Sequence, residues 1–278
     1  MATSLIISIY RLHEELPLLL SALSQQSLIP GEIIFAEDDT SSETIRILES
    51  LSRRYPHLRL KLIQHEDRGF RKGTIVNKAV AIAEFDKLIF LDGDCLPHRH
   101  YVKSYADILR TGMLLSARPV YLGKDAREVF ADLDDTFRQP GIVQILYRAF
   151  SGRRYSVYFP QTPVLKRKSA MRGSSWACMK KDYLRVNGFD ERFCEAGYGY
   201  EDIDMSHRMN RAGVDCYVPK YRVIYYHFGP AGIGAEKNQA LAKTRSILDA
   251  NDAVELVACQ SGVDQWVGNV APTWTSDR

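Results

Sequence analysis

Short apolar runs alternate with amphipathic segments over the first 94 residues. Runs of aliphatic and aromatic residues at 4–9, 32–36 and 87–91 have the length and composition of buried strands, and alternation over 58–62 predicts one more. Between them, apolar residues at spacings of three and four predict helices over 14–26, 42–55 and 76–83. Strict strand-helix alternation is typical of a doubly wound α/β fold. We therefore expect a mostly parallel central sheet with helices on both faces.

The pattern weakens after residue 94. It predicts a strand within 113–122, partly helical structure over 124–150 interrupted at Pro140-Gly141, a short helix over 182–187, a helix over 201–212, and strands at 214–218 and 222–226. The stretch 150–172 has no period, and a long irregular loop of this kind is usually functional or mobile. We expect a single domain over 1–232, with a nucleotide-binding half over 1–112 and an acceptor and catalytic half over 113–232, and then a helical extension and tail over 233–278.

Charged residues follow the predicted strands, where ligands bind to open α/β sheets. Arg11 follows the first strand, Glu37 and Asp38 the second, and Asp92-Gly93-Asp94 the strand at 87–91. Two carboxylates that flank a glycine suit a divalent cation carrying a nucleotide diphosphate, although the same pattern is also common in surface turns. The chain lacks the glycine patterns of dinucleotide-binding folds and phosphate loops, so neither class is favoured.

Composition narrows the class of protein. The 278 residues are 45% hydrophobic and 26% charged, as in a soluble globular protein, and no apolar stretch has the length of a membrane span. The start lacks a basic leader, and five cysteines without a C-x-x-C pair suggest neither disulfides nor zinc, so we expect a cytoplasmic location. A net charge of +3 is too small to predict nucleic-acid binding.

Two longer motifs carry a family resemblance. Residues 187–193 (NGFDERF) and 197–204 (GYGYEDID) resemble the carboxyl-terminal signature of β-galactosyltransferases and chondroitin-type synthases. In the first half, 36–41 stands where family 2 glycosyltransferases have a DDGS turn, and 92–94 where they have a D-x-D motif. The chain therefore resembles family 2 glycosyltransferases of the nucleotide-sugar-binding GT-A fold over about 4–230. Glu37, Asp39 and Tyr200 depart from the usual residues, which leaves the donor sugar open.

The resemblance implies a metal-dependent, inverting hexosyltransferase. The donor would be a nucleotide-diphosphate sugar, such as UDP-hexose or UDP-N-acetylhexosamine, and the acceptor a hydroxyl of a glycan or lipid-linked molecule. A carboxylate and an imidazole together suit Mn²⁺, with Mg²⁺ as the other candidate. By the same resemblance the nucleotide-sugar site comprises Arg11, Glu37, Asp38, Arg68, Lys72, Asn77, Asp92 and Asp94. The metal site would comprise Asp94, His227 and Asp92. The resemblance also implies that Asp202 is the general base, that Glu201 orients hydroxyls, and that Trp176 and Tyr200 stack on sugars.

Other interpretations stay open. Taken alone, Glu201 and Asp202 could be ordinary first-turn acids of a helix, His227 a structural histidine and Trp176 a core residue. A sugar-nucleotide pyrophosphorylase would have a glycine-rich loop after the first strand, which 9–13 lacks. A catalytically inactive carbohydrate- or nucleotide-binding relative would keep the fold.

The acceptor region is predicted from charge. Basic residues cluster at 153–154, 166–168 and 180–181, and their simplest interpretation is a solvated surface. We nevertheless expect 150–172 to contact the acceptor, and its basic residues favour an anionic glycan or a phospholipid surface. No clear amphipathic anchor is visible in the sequence, so peripheral membrane contact stays an open alternative.

Overall fold

The computed structural model describes residues 2–123, 128–131, 136–161, 164–228 and 238–276, and every structural statement below concerns these residues. The strands are β1 (Ser4–Ile9), β2 (Glu32–Glu37), β3 (Leu60–Gln64), β4 (Lys87–Asp92), β5 (Cys95–Pro97), β6 (Met113–Ser116), β7 (Val120–Leu122), β8 (Ala149–Ser151), β9 (Val164–Lys168), β10 (Ser175–Met179), β11 (Asp215–Lys220), β12 (Tyr225–Phe228) and β13 (Trp274–Thr275). The α-helices are α1 (Leu16–Ser24), α2 (Ser42–Arg54), α3 (Lys72–Ile82), α4 (Tyr101–Ile108), α5 (Ile142–Arg148), α6 (Lys180–Arg185), α7 (Glu191–Ala196), α8 (Glu201–Arg211) and α9 (Asn238–Ala253).

Nine strands form the central sheet, in the order β13-β3-β2-β1-β4-β10-β6-β11-β9. The expected parallel part is present, since β3, β2, β1 and β4 are parallel neighbours. The rest corrects the expectation of a mostly parallel sheet, because β10 runs antiparallel to both β4 and β6, and β9 and β13 are antiparallel edge strands. The sheet is therefore mixed, with a parallel half that brings several strand ends to one edge.

Helices cover both faces of this sheet. The alternating side chains of β1 divide between the faces: Leu5 and Ile7 pack in the apolar cluster that contains α1, α2 and α4, whereas Ile6 packs in the cluster that contains α3, α6 and α8. Helix α1 has Pro17 in its first turn, a position that favours proline, and it packs on the sheet through leucines that are almost fully buried. The two-sided burial explains why β1, β2 and β4 are continuous apolar runs rather than alternating ones.

A smaller sheet, in the order β5-β12-β7-β8, adjoins the acidic end of β4. Strand β5 begins directly after Asp94, and β12 pairs antiparallel with it so that His227 lies opposite Cys95. This pairing explains how a residue 133 positions along the chain from Asp94 comes to lie beside it.

The carboxyl-terminal residues pack on the domain. Asn251 in α9 donates to Asp204 in α8 over 2.7 Å, and Asp252 accepts from Arg211 over 2.5 Å. Further on, β13 adds an antiparallel strand beside β3. Residues 238–276 thus contain helix α9 and also contribute a strand to the central sheet.

The region 150–172, expected to be irregular, contains the end of strand β8 and the whole of strand β9. Residues 149–151 form β8 and 164–168 form β9, with a short 3₁₀ turn at Arg153–Tyr155 between them. The sequence also predicts a turn at Gly229-Pro230, and these two residues lie outside the described residues. None of the helices in the described parts of the chain combines the length and hydropathy that a membrane span requires.

Candidate active site

An open cleft of about 1250 Å³ lies where β1, β2 and β4 end, and α8 and the smaller sheet form its opposite side. Eight of the residues predicted from the sequence line it: Asp38, Lys72, Asp92, Asp94, Tyr200, Glu201, Asp202 and His227. They come from both halves of the chain: strand ends of the first half and the 197–204 motif of the second half meet in one cleft.

Asp92 and Lys72 form an ion pair at the floor of the cleft. The Lys72 ammonium lies 2.5 Å from Asp92 Oδ1, and the Ser8 hydroxyl donates to the same oxygen over 2.8 Å. Burial acts to lower the pKa of Lys72, but the charge of Asp92 and its hydrogen bond outweigh burial and raise it. Lys72 is therefore a fixed cation, held at the amino terminus of α3, where a diphosphate could reach it.

Asp94 and His227 form a second cluster beside this pair. His227 Nε2 lies 3.5 Å from Asp94 Oδ2, and the ligand atoms of Asp94, Cys95 and His227 all lie within 4.8 Å of one another. Burial, followed by the negative charge of Asp92, raises the pKa of the Asp94 carboxyl. The buried His227 Nδ1 has no hydrogen-bond partner within the described residues. A divalent cation fits this donor set, because it would relieve the repulsion between two neighbouring carboxylates and accept an imidazole nitrogen.

The acids of α8 enter the cleft from the opposite side. Tyr200 has φ 64°, and this left-handed residue turns the chain so that Glu201 and Asp202 occupy the first turn of α8. Glu201 accepts from the Gly199 amide over 3.1 Å, and Asp202 Oδ2 accepts from the Gly173 amide over 3.2 Å. Burial raises the pKa of both carboxyls, and for Glu201 the charge of Asp202 adds to the effect. A carboxylate with a raised pKa is a stronger base than one with an ordinary pKa.

Asp38 is oriented by two partners at the end of β2. His65 Nε2 lies 2.6 Å from Asp38 Oδ1, and the Arg71 amide donates to Asp38 Oδ2 over 2.7 Å. Arg11 lies at the rim rather than in the cleft, with its guanidinium bonded to Asp39 over 2.6 Å and to Asp67 over 3.1 Å. Asp67 itself lines the cleft, so residues 65–71, the loop between β3 and α3, contribute an acid that the sequence analysis did not single out.

The prediction that Trp176 stacks on a sugar is wrong. Its side chain is 2% exposed, and its ring stacks on Phe90 with centroids 3.7 Å apart. The cause is register: Trp176 on β10 lies directly opposite Phe90 on β4 and on the same face of the sheet. That face is covered by α3 and α6, so the ring belongs to the core. Tyr200 is the one of the two aromatic candidates that reaches the cleft.

Three further predicted donor residues lie outside the cleft. Asn77 is fully buried and bonds Tyr183 and the Phe189 backbone, so it fixes α3 against the chain before α7. Glu37 is also fully buried, with its carboxylate occupied by Thr44 and Gln64, each over 2.6 Å. Arg68 is exposed and pairs with Glu66 over 2.6 Å. Glu37 and Asn77 point away from the cleft because strand alternation and the helical face direct them elsewhere. Arg68 lies on the loop between β3 and α3, where it pairs with Glu66 instead.

The structure adds residues that sequence reasoning missed. Tyr198 lines the cleft and packs edge-on against Phe70 with ring centroids 5.2 Å apart, and Leu241 of α9 lines the cleft wall. Tyr198 stands inside the GYGYEDID motif, so the motif itself was a signal. Leu241 carried no signal, because it approaches the site only through tertiary packing.

Comparisons with known proteins agree with this geometry. The sequence matches the model of glycosyltransferase like family 2 over residues 4–228. It is 23% identical over 268 residues to chondroitin synthase of Escherichia coli, covering 88% of this chain and 37% of that protein. It is 26% identical over 223 residues to validoxylamine A glucosyltransferase of Streptomyces hygroscopicus subsp. limoneus, covering 76% of this chain and 48% of that protein. The chain thus spans less than half the length of these relatives.

Solved structures show the same fold. S. aureus TarS 1–349 in complex with UDP superimposes with a TM-score of 0.62 at 17% identity, covering 96% of this chain and 70% of that chain. The complex of the same protein with UDP-GlcNAc gives a TM-score of 0.61 at 16% identity, with the same coverage of both chains. These similarities confirm the α/β fold of the GT-A class. Since the family model extends from the first strand to the last strand of the cleft, the chain belongs to glycosyltransferase family 2.

Proposed function

We propose that this protein transfers a sugar from a nucleotide-diphosphate donor to a hydroxyl of a glycan or lipid-linked acceptor, with inversion at the anomeric carbon. The observation that carries the proposal is the convergence of three groups in one cleft: the Asp92–Lys72 pair, the Asp94–His227 pair and the half-buried Asp202 carboxyl. A UDP-hexose or UDP-N-acetylhexosamine is the proposed donor, because the TarS structures contain UDP and UDP-GlcNAc.

Asp202 supplies the base in this scheme. Its carboxylate accepts the proton of the acceptor hydroxyl while that oxygen forms a bond to the anomeric carbon, and the bond from that carbon to the diphosphate breaks with its electron pair leaving on the diphosphate. The raised pKa of Asp202 increases its proton affinity near neutral pH, and the Gly173 amide keeps the carboxyl in place. Glu201 would orient sugar hydroxyls and Tyr200 would stack on a sugar face, since both line the cleft at the start of α8.

The residues that would bind the charged diphosphate of the donor lie on the other side of the cleft. Lys72 would face the leaving diphosphate, and Asp38 would accept a hydrogen bond from the base or ribose. Asp94 and His227 would hold Mn²⁺ or Mg²⁺, with Asp92 adjacent and its Oδ1 bonded to Ser8 and Lys72. Such an ion would supply Lewis-acid neutralisation of the diphosphate charge.

The remaining expectations form part of the same proposal. Residues 1–112 would supply the donor half of the site and 113–232 the acceptor and catalytic half, because Asp38, Lys72 and Asp94 precede this division and Asp202 follows it. The five free and buried cysteines support a reducing, cytoplasmic location.

Calorimetric titration with UDP and a panel of nucleotide sugars, with and without Mn²⁺, tests the donor site. The wild type should bind UDP more tightly with Mn²⁺, Asp94→Ala should lose the metal-dependent part, and Asp202→Asn should keep it. Asp107→Ala, an exposed carboxylate on α4, is the matched control and should behave like the wild type.

Two results would contradict the proposal. Absence of metal-dependent UDP binding by the folded wild type would refute the donor site. Normal donor binding without any transfer or donor hydrolysis would instead favour an inactive nucleotide-binding relative.

A further inference from the structure

One continuous part of the chain has an unusual charge. Residues 138–181 contain ten arginines and lysines and no aspartate or glutamate, whereas the whole chain has a net charge of only +3. The rest of the chain is therefore net acidic. Most of these basic side chains are exposed, including Arg148 at the end of α5 and Arg153 and Arg154 shortly after it. Lys166, Arg167 and Lys168 are likewise exposed on the edge strand β9.

Exposed apolar side chains concentrate in the same part of the chain. Of the twelve large hydrophobic residues that are exposed within the described residues, six lie between 142 and 159: Ile142, Val143, Leu146, Tyr147, Val157 and Phe159. Helix α5 is apolar on nearly every side, a composition that usually belongs to a buried helix. Yet Val143 is 76% exposed and Tyr147 is 83% exposed.

This segment is anchored to the body of the protein, so its outward face is defined. Ile145 and Ala149 are buried in the apolar core, and β8 pairs with β7. Gly152, with φ +75°, passes so close to the Pro119 carbonyl that a Cβ would lie 2.2 Å from its oxygen. The Phe159 amide donates to the Tyr221 carbonyl over 2.7 Å. The exposed apolar residues are thus the outer side of a packed segment.

We propose that the surface formed by residues 142–159, called here the 142–159 surface, docks on an anionic phospholipid bilayer. Aliphatic and aromatic side chains next to arginines are the composition that partitions into the headgroup region, with the apolar groups below the phosphates and the cations among them. A polyanionic glycan would account for the arginines, but it gives no apolar phase for Ile142, Val143 and Leu146. Charge and apolarity together therefore favour the bilayer.

Docking here would bring the cleft close to the membrane. Strand β8 is two strands away from β12, which carries His227, and β7 between them carries Tyr121, a residue of the cleft wall. A lipid-linked acceptor would then be held near the acids of α8. This consequence rests on the proposed function, whereas binding to a bilayer does not.

Co-sedimentation with vesicles tests the inference. The full chain should bind vesicles of phosphatidylcholine with phosphatidylglycerol, bind pure phosphatidylcholine weakly, and lose affinity as salt rises. The double variant Arg153→Ser/Arg154→Ser should weaken binding by about tenfold or more. Val143→Ser/Tyr147→Ser should weaken it by a similar factor, because both residues lie on the outer face of α5.

Matched control variants distinguish binding through the 142–159 surface from nonspecific binding to vesicles. Val254→Ser/Val267→Ser removes two other exposed valines, and Arg46→Ser/Arg53→Ser removes two exposed arginines of α2. Both controls should bind vesicles like the wild type, and all variants should keep UDP affinity and the wild-type circular dichroism spectrum.

Several outcomes overturn the inference. The inference is wrong if the wild type does not bind anionic vesicles, or if the test and control variants lose the same amount of binding. Binding to soluble polyphosphate without binding to vesicles would also overturn it and would indicate a polyanion site. Vesicle binding by a wild type that does not bind UDP would leave the surface intact and refute only the donor site.

Discussion

Replacing Asp202 by asparagine isolates the proposed base. The amide has nearly the shape of the carboxyl, and its oxygen can still accept from the Gly173 amide, which lies 3.2 Å from Asp202 Oδ2. The fold and donor binding should therefore be preserved. What is lost is proton acceptance, because a neutral amide cannot take the proton of an attacking hydroxyl.

The size of the effect follows from that loss. A positioned general base contributes about 10²–10⁴ in rate, so kcat should fall by this factor while the Kd for UDP changes less than about twofold. The pH profile adds a second readout. Burial raises the pKa of Asp202. As the pH falls, wild-type activity should therefore decline at a pH above the pKa of an ordinary aspartate, which is about 3.9. Above that pKa the carboxylate is ionised and active, and below it the group is protonated and inactive.

UDP release from the donor found by titration measures turnover, with water as the acceptor until the natural one is known. The residual activity of Asp202→Asn should lack the acidic decline, and Asp107→Asn, which alters an exposed carboxylate, should match the wild type in every respect. An Asp202→Asn enzyme with wild-type kcat, or with the same acidic decline, would show that another group is the base.

Two further substitutions test the placement of neighbouring residues. Trp176→Ala should lower the free energy of unfolding by about 3–5 kcal/mol in urea titrations, because it removes a buried ring; unchanged stability with a raised KM for the donor would instead place the ring on the sugar. Gly199→Ala should raise the KM for the donor. Gly199 has a φ of +119°, which strains any other residue, and an added Cβ would lie 2.5 Å from Leu241 Cδ2. The double variant with Leu241→Ala should recover only part of this loss, and wild-type kinetics of Gly199→Ala would mean that α9 does not shape the cleft.

Much of the site was predictable because it depends on strand ends. Asp92 and Asp94 follow a continuous apolar run, and Asp38 follows another, so parallel pairing alone places them together. His227 and Asp202 were found through the family resemblance, since their positions depend on a second sheet and on the left-handed turn at Tyr200.

The residues that were misplaced depend on information that a single sequence does not contain. Trp176 lies between the small residues Ser175 and Ala177. Its strand therefore has no alternation of polar and apolar residues that would reveal which face of the sheet Trp176 occupies. Its partner Phe90 is known only from the antiparallel register of β10 and β4. Leu241 is likewise assigned to the cleft only by the packing of α9, more than forty residues after Gly199.

The two ends of the central sheet have a consequence for the protein at high concentration. An unpaired edge strand is a template for joining sheets of separate molecules. At one end that template is only two residues long, since β13 comprises Trp274 and Thr275. At the other end β9 presents Lys166, Arg167 and Lys168 in succession, so two such edges would repel each other. The cations of β9 should therefore help to keep the molecules apart in a concentrated solution.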